Sequence, residues 1–371
     1  MQFTVGKVDF LDVLRKAEGA VPAKSMLQIL GNFHISLTGD ALEVTATNLE
    51  LSVRARLQVQ GQGDGAVLID ARTLVQIVAS LDPDVDVEVS AADNQVKLKS
   101  GSYVANLPGF DPSEYPQIEQ PEEGIRFSLS SSELLFLEEK TAFACSTDVT
   151  RIALNGIFVE HQNGRLSMVA TDGHRLGLAS VENEGADWPN GVIVPPKALR
   201  LLLKSVPADT ALDVRIDSSH ICVDSEKVQV IGRLFDGSYP VYRNVVPTEF
   251  GKIATVDVRR LISVAERVGK IANAKTSLVK FEFAEDRLTV SSSNQDDGNE
   301  SHEDLTGVEY TGDPGFRLAF NAKYLVEILK MCPERISLQM NSPTGACVIT
   351  PVGEGLDFYF LLMPLRLSEG N

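Results

Sequence analysis

The sequence predicts an α+β protein in which one module, rich in antiparallel sheet, is written three times. Prolines mark the period first. Pro116 in EYPQI, Pro240 in SYPVYRNVVP and Pro364 in LMPLRL stand 124 residues apart each time, and three such units fill nearly the whole 371-residue chain. A shared pattern agrees. GDALEVTATN (39–48), NGRLSMVATD (163–172) and EDRLTVSSSN (285–294) each read as a turn, an alternating strand, then Thr or Ser before Asn or Asp. A strand leading into a helical pattern also recurs, in VLIDARTLVQIVASL (67–81), VIVPPKALRLLLKSV (192–206) and LAFNAKYLVEILKMC (318–332).

Each module opens with a strand and a helical pattern: FTVGKVDFLDVLRKAEG, FSLSSSELLFLEEKTAF and ATVDVRRLISVAERVGK. In the second, Ser130 to Ser132 supply natural N-caps, and Leu134, Leu135, Leu137 and Phe143 fall largely on one face. Six helices follow, at roughly 7–20, 70–80, 131–144, 195–205, 257–271 and 321–330, two per module, with short strands and Gly, Asn or Asp turns between them. Pro121–Gly124 and Pro247–Gly251 have linker chemistry, which sets expected domains at 1–124, 125–252 and 253–371.

Composition limits the function. A hydrophobic content of 43% suits a chain that buries cores, and no apolar run approaches the length that spans a bilayer. The N-terminus MQFTVGKVDFLDVLRK lacks a secretory pattern. Cys145, Cys222, Cys332 and Cys347 are widely spaced, as expected of buried thiols in a reducing cytoplasm rather than disulfides or zinc ligands. The net charge of −17 argues against nucleic-acid binding through the overall field. It leaves open a chain that sorts its charges. The six expected helices sum to +4, so the rest carries −21, and Lys197, Arg200, Lys204, Arg259, Arg260, Arg267 and Lys270 supply most of the excess. The stretch 131–144, at −2, runs against this trend, and solvated helix faces would give the same count.

One stretch looks catalytic. VATDGHRLGLAS (169–180) sets Asp172, His174 and Arg175 close together. The repeat gives Asp172 another reading, because Thr47-Asn48, Thr171-Asp172 and Ser293-Asn294 occupy equivalent turns, where Asn or Asp bonds its own backbone. Only the middle copy carries His174-Arg175; the others continue with Leu49-Glu50 and Gln295-Asp296. The five histidines show no HxxxH or HxH spacing, and the chain has no GxSxG elbow, Walker loop or dinucleotide fingerprint. No cofactor is expected. A soluble hydrolase using Asp172 and His174 stays as an alternative, as does a scaffold that docks peptides without enclosing DNA.

Together with the threefold unit, ATDGHRL (170–176), YPVYRNVVP (239–247), FNAKYLVEIL (320–329) and MPLRL (363–367) resemble the bacterial β sliding clamps, the β subunits of DNA polymerase III, over essentially the full chain. The resemblance implies three clamp-type domains per protomer and a head-to-tail homodimeric ring with helices inside and sheets outside. Duplex DNA would pass through without sequence reading, and the function would be processivity rather than catalysis. Implied partners are the polymerase catalytic subunit, an ATP-dependent clamp loader, repair polymerases and other clamp-binding proteins, in the cytoplasm, on the nucleoid. The DNA-facing residues would be Lys24, Arg72, Lys197, Arg200 and Lys204. Ring closure would fall on Ala105 and Leu107 against Ile271 and Ala272. A peptide pocket would be lined by Leu154, Thr171, Gly173, His174, Arg175, Leu176, Pro240, Val245, Leu361, Leu362, Met363, Pro364, Leu365 and Arg366, with Leu367 adjoining. The leucines, prolines and Met363 would make an apolar slot for Leu or Phe anchors, and His174, Arg175 and Arg366 would offer hydrogen bonds. The chain departs from the family pattern at Asn244, where some members carry a basic residue, and in the tail 368–371, for which disorder is expected.

Overall fold

The computed structural model describes residues 1–185, 187–294, 298–353 and 357–367. Among them are six α-helices, two per repeat: α1 (Lys7–Glu18), α2 (Ala71–Ser80), α3 (Ser131–Thr141), α4 (Pro196–Leu203), α5 (Val258–Val268) and α6 (Ala322–Leu329). Local chemistry fixes most of their starts. Asp70, Asp257 and Asn321 cap α2, α5 and α6 through side-chain oxygens that accept from Thr73 N, Arg260 N and both Lys323 N and Tyr324 N. Ser130 and Glu133 exchange hydrogen bonds in a capping box ahead of α3, and Pro196 opens α4.

The helices expected to reach 144 and 271 finish instead in 3-10 turns, Ala142–Ala144 and Gly269–Ile271. Thr141 Oγ1 bonds back to Leu137 O at 2.6 Å, a contact that bends a helix at its end. Leu134 and Leu137 are buried as expected, but Leu135 is 43% exposed. One residue along a helix turns the side chain by about 100°, so Leu135 cannot share a face with Leu134.

The chain forms two compact units, residues 1–135, 183–186 and 194–235 in one, and 136–182, 187–193 and 236–371 in the other. The division falls inside the middle repeat because sheets run across repeat boundaries. In the first unit an eight-stranded antiparallel sheet joins first-repeat strands to middle-repeat strands where Leu51–Gln58 pairs with Val228–Arg233, register Leu51 to Gly232. In the second a nine-stranded sheet does the same where Arg175–Glu182 pairs with Phe358–Leu362, register Arg175 to Leu362. Each unit also has a smaller sheet that ends, among the described residues, in a bare edge. Tyr103–Pro108 ends a five-stranded sheet in the first unit, and Asn299–Thr306 ends a four-stranded sheet in the second. Helices cover the sheets through apolar stripes such as Phe10, Leu14 and Ala17 of α1, and Leu261, Val264, Ala265 and Val268 of α5.

The four cysteines are thiols, none of them joined in a disulfide. Burial raises Cys222 to about 11 and both Cys332 and Cys347 to about 12. No described helix is long and apolar enough to cross a membrane. Among the described residues, no three His, Cys, Asp or Glu side chains are grouped so that they could hold a metal ion.

Candidate functional site

The Asp-His-Arg stretch is a hairpin turn between strands Arg165–Thr171 and Arg175–Glu182. Asp172 Oδ1 accepts from His174 N at 2.8 Å and Arg175 N at 3.0 Å. Thr171 Oγ1 accepts from Gly173 N and donates to Arg175 O at 2.6 Å. Gly173 stands at φ +91°, in the left-handed region that favours glycine. Asp172 Oδ2 accepts from Arg175 Nε at 3.1 Å. The His174 ring stacks against Tyr324, centroids 6.3 Å apart, and the Asp172 oxygens serve the hairpin and Arg175. The hydrolase reading is therefore corrected: Asp172 folds the turn and does not orient His174 for proton transfer.

Some of the expected pocket residues come together beside this hairpin. Leu176 and Leu361 lie in one buried cluster with Val169, Tyr242, Ala346 and Val348, flanked by Phe158, Tyr239 and Val246. The chain after strand Phe358–Leu362 is anchored by Met363 N donating to His174 O at 2.8 Å and Leu365 N donating to Ala319 O at 2.7 Å. Three apolar side chains in the neighbouring segments are exposed: Val241 (68%), Val245 (57%) and Met363 (38%). Gly173, His174, Pro240 and Arg366 are also exposed, and Leu154, Thr171, Pro364 and Leu365 are half-buried.

Two of the expected pocket residues are engaged within the fold. Leu362 is 0% exposed and lies in the core, on the strand face it shares with its cross-strand partner Arg175. Arg175, expected to offer hydrogen bonds to a peptide, has its guanidinium engaged within the chain. Nε is engaged by Asp172, Nη1 by Glu327 of α6, and Nη2 by Phe143 O at 2.8 Å, with the Tyr324 ring centroid 4.4 Å away. The 3-10 turn Tyr242–Val245 is held by a carboxylate. Buried Glu160 accepts from Tyr242 Oη at 2.6 Å and from Arg243 Nη2 at 2.5 Å. Burial, then the bond to Glu160, pushes the Tyr242 phenol far above its ordinary range.

Sequence reasoning missed Tyr324, Glu327, Phe143 and Glu160. The signals were present: Tyr324 and Glu327 are three apart on one helix, and Glu160 is a lone carboxylate in the apolar strand IFVEHQ. Asn244 is exposed. Gln295, Asp296 and the tail 368–371 lie outside the described residues.

Lys197, Arg200 and Lys204 are exposed on one side of α4, opposite buried Ala198, Leu199 and Leu202. Lys24 and Arg72 are exposed as well. On α5 the expected basic face is partly engaged: Arg267 donates to Glu303 at 2.9 and 2.6 Å, and Arg260 to Thr306 O at 2.9 Å. Ala105 and Leu107 sit half-buried on the edge strand Tyr103–Pro108 of the first unit; Ile271 and Ala272 sit half-buried after α5 in the second.

Three α+β repeats joined by sheets that run across the repeat boundaries define a clamp-type architecture. Family models of the DNA polymerase III beta subunit match in order: the N-terminal domain over residues 1–119, the central domain over 128–241 and the C-terminal domain over 243–366. The beta sliding clamp of Caulobacter vibrioides is 30% identical over 99% of this chain and 100% of its own. A sliding clamp structure from Pseudomonas aeruginosa, bound to griselimycin, superposes with a TM-score of 0.94 at 26% identity, covering 99% of this chain and 100% of that one. A beta sliding clamp from C. crescentus, with polyethylene glycol bound, gives 0.91 at 29% identity over 99% and 100%. The chain belongs to the DNA polymerase III beta-subunit family, the beta sliding clamps. Clamps of this family are non-catalytic processivity factors of DNA replication.

Proposed function

We propose that two copies of this chain close head-to-tail around duplex DNA and tether polymerases and other replication and repair proteins through the groove beside the Thr171–Arg175 hairpin. The observation that carries the docking half is the exposure of the apolar Val241, Val245 and Met363 in the segments that run into the buried cluster of Leu176, Tyr242 and Leu361. Such an apolar surface suits Leu or Phe anchors of an extended peptide. Leu154, Thr171, Gly173, His174, Pro240, Pro364, Leu365 and Arg366 complete the surroundings.

The bare edge strands support closure. Tyr103–Pro108, with Ala105 and Leu107, and Asn299–Thr306, beside Ile271 and Ala272, each leave a row of backbone groups for another chain. A rotation that pairs the first edge with the second on a neighbouring copy leaves no open end after two copies. Lys197, Arg200, Lys204, Lys24 and Arg72 face the phosphates. Enclosure keeps the duplex, so each contact is weak enough to permit sliding over any sequence. The three domains span 1–124, 125–252 and 253–371, and the ring works in the cytoplasm on the nucleoid.

Native mass by sedimentation over a dilution series tests the assembly: a species of twice the 40.3 kDa chain supports it. Retention on circular but not linear plasmid then tests enclosure. A persistent monomer that still binds partner peptides would reduce the protein to a docking scaffold.

A further inference from the structure

Arg175 lies inside the expected peptide pocket, yet the geometry gives it a different task. Its side chain is 10% exposed. Each donor arm reaches a different element: Asp172 in its own hairpin, the Phe143 carbonyl in the turn after α3, and Glu327 on α6. The guanidinium also lies 5.2 Å from the Phe143 ring centroid and 4.4 Å from that of Tyr324. A planar fork whose three nitrogens each meet an acceptor, and which lies against two rings, is fixed in place by the fold.

We propose that Arg175 is a positioning residue: it fastens the docking hairpin to α6 and to the end of α3, and so sets the groove without touching the peptide. The proposal rests on the docking reading above. Arg175 pairs with Leu362 across the sheet, and the residue after Leu362, Met363, is anchored on His174 O. Movement of Arg175 therefore displaces both the hairpin and the Met363 rim. Glu327 is the other half of the fastening and stands on α6.

The test measures affinity for two probes, a fluorescein-labelled hexapeptide ending in Leu-Phe and griselimycin, on the full chain. Arg175→Ala is expected to weaken binding about tenfold and Glu327→Ala about threefold, with the double variant no weaker than Arg175→Ala, since both break one unit. Hydrogen exchange at the His174 and Arg175 amides should quicken in both single variants. Arg175→Lys, which keeps the charge but lacks the fork, should remain weak; if Arg175→Ala fails to fold, Arg175→Lys and Glu327→Gln carry the comparison. A loss in Arg175→Ala with none in Glu327→Ala would mean that Arg175 meets the peptide directly, and full binding by Arg175→Lys would mean that charge alone matters; either overturns the proposal. If the unaltered chain binds neither probe, the docking reading itself fails, which is a distinct result.

Discussion

The same hairpin is built twice, once in each unit, and the two copies have different linings. At Thr47–Leu51 the Asn48 side chain accepts from Glu50 N at 3.1 Å and Leu51 N at 2.8 Å, and Thr47 Oγ1 accepts from Leu49 N at 3.0 Å. Asp172 and Thr171 make the corresponding bonds at Thr171–Arg175. Both hairpins lead into a strand that pairs with the following repeat. The registers match Leu176 to Ser52, Leu361 to Ile231 and Met363 to Arg233. Beside the first hairpin is a cleft of about 300 Å³ with Glu50, Ser52, His220 and Arg233 in its walls. Backbone bonds set the frame, while a few side chains decide whether it presents an apolar floor.

Importing the polar lining should erase the difference. Leu176→Ser removes a buried leucine from the groove floor and is expected to cost about 2–5 kcal/mol of stability, with peptide binding lost; denaturant titration and fluorescence anisotropy check both. Met363→Arg puts the counterpart of Arg233 on the exposed rim. It should lower peptide affinity roughly tenfold, about 1.4 kcal/mol, while leaving unfolding unchanged. An unchanged affinity would remove Met363 from the rim.

Leu49 occupies the position of Gly173, at φ +75°. Leu49→Gly should relieve a strain of about 1 kcal/mol and stabilise the first unit without altering peptide binding, which thermal unfolding and the same anisotropy assay would show. The smallest effect at neutral pH concerns the thiols. Cys222, Cys332 and Cys347 are raised from 9.0 to about 11, 12 and 12 by burial. Unfolding exposes thiols that ionise near 9, so this stability is fully present below about pH 9 and is lost as pH rises toward about 11–12. Denaturation midpoints across that range should fall, and at about pH 8 a thiol reagent should react slowly with these three until the chain is unfolded.

Much of this is legible in local patterns. Asp70, Asp257 and Asn321 cap helices at the expected starts, and the Thr-Asx turn marks Asp172 as structural even without sight of its bonds. The internal engagement of Arg175 is not legible in sequence, because its partners Phe143 and Glu327 lie 32 and 152 residues away. The full burial of Leu362 is not legible either, because alternation along a strand does not tell which face is buried until its neighbour is known.

The threefold module, the helix starts and the hairpin frames all follow from the order of residues, since they rest on bonds between groups a few positions apart. The folded core was needed to show that Leu51–Gln58 joins Val228–Arg233 and that Arg175–Glu182 joins Phe358–Leu362, pairings that divide three repeats into two compact units. Each pairing brings together strands far apart in the chain. Their register is selected by which apolar faces bury together, a property of the assembled core rather than of any short stretch of chain.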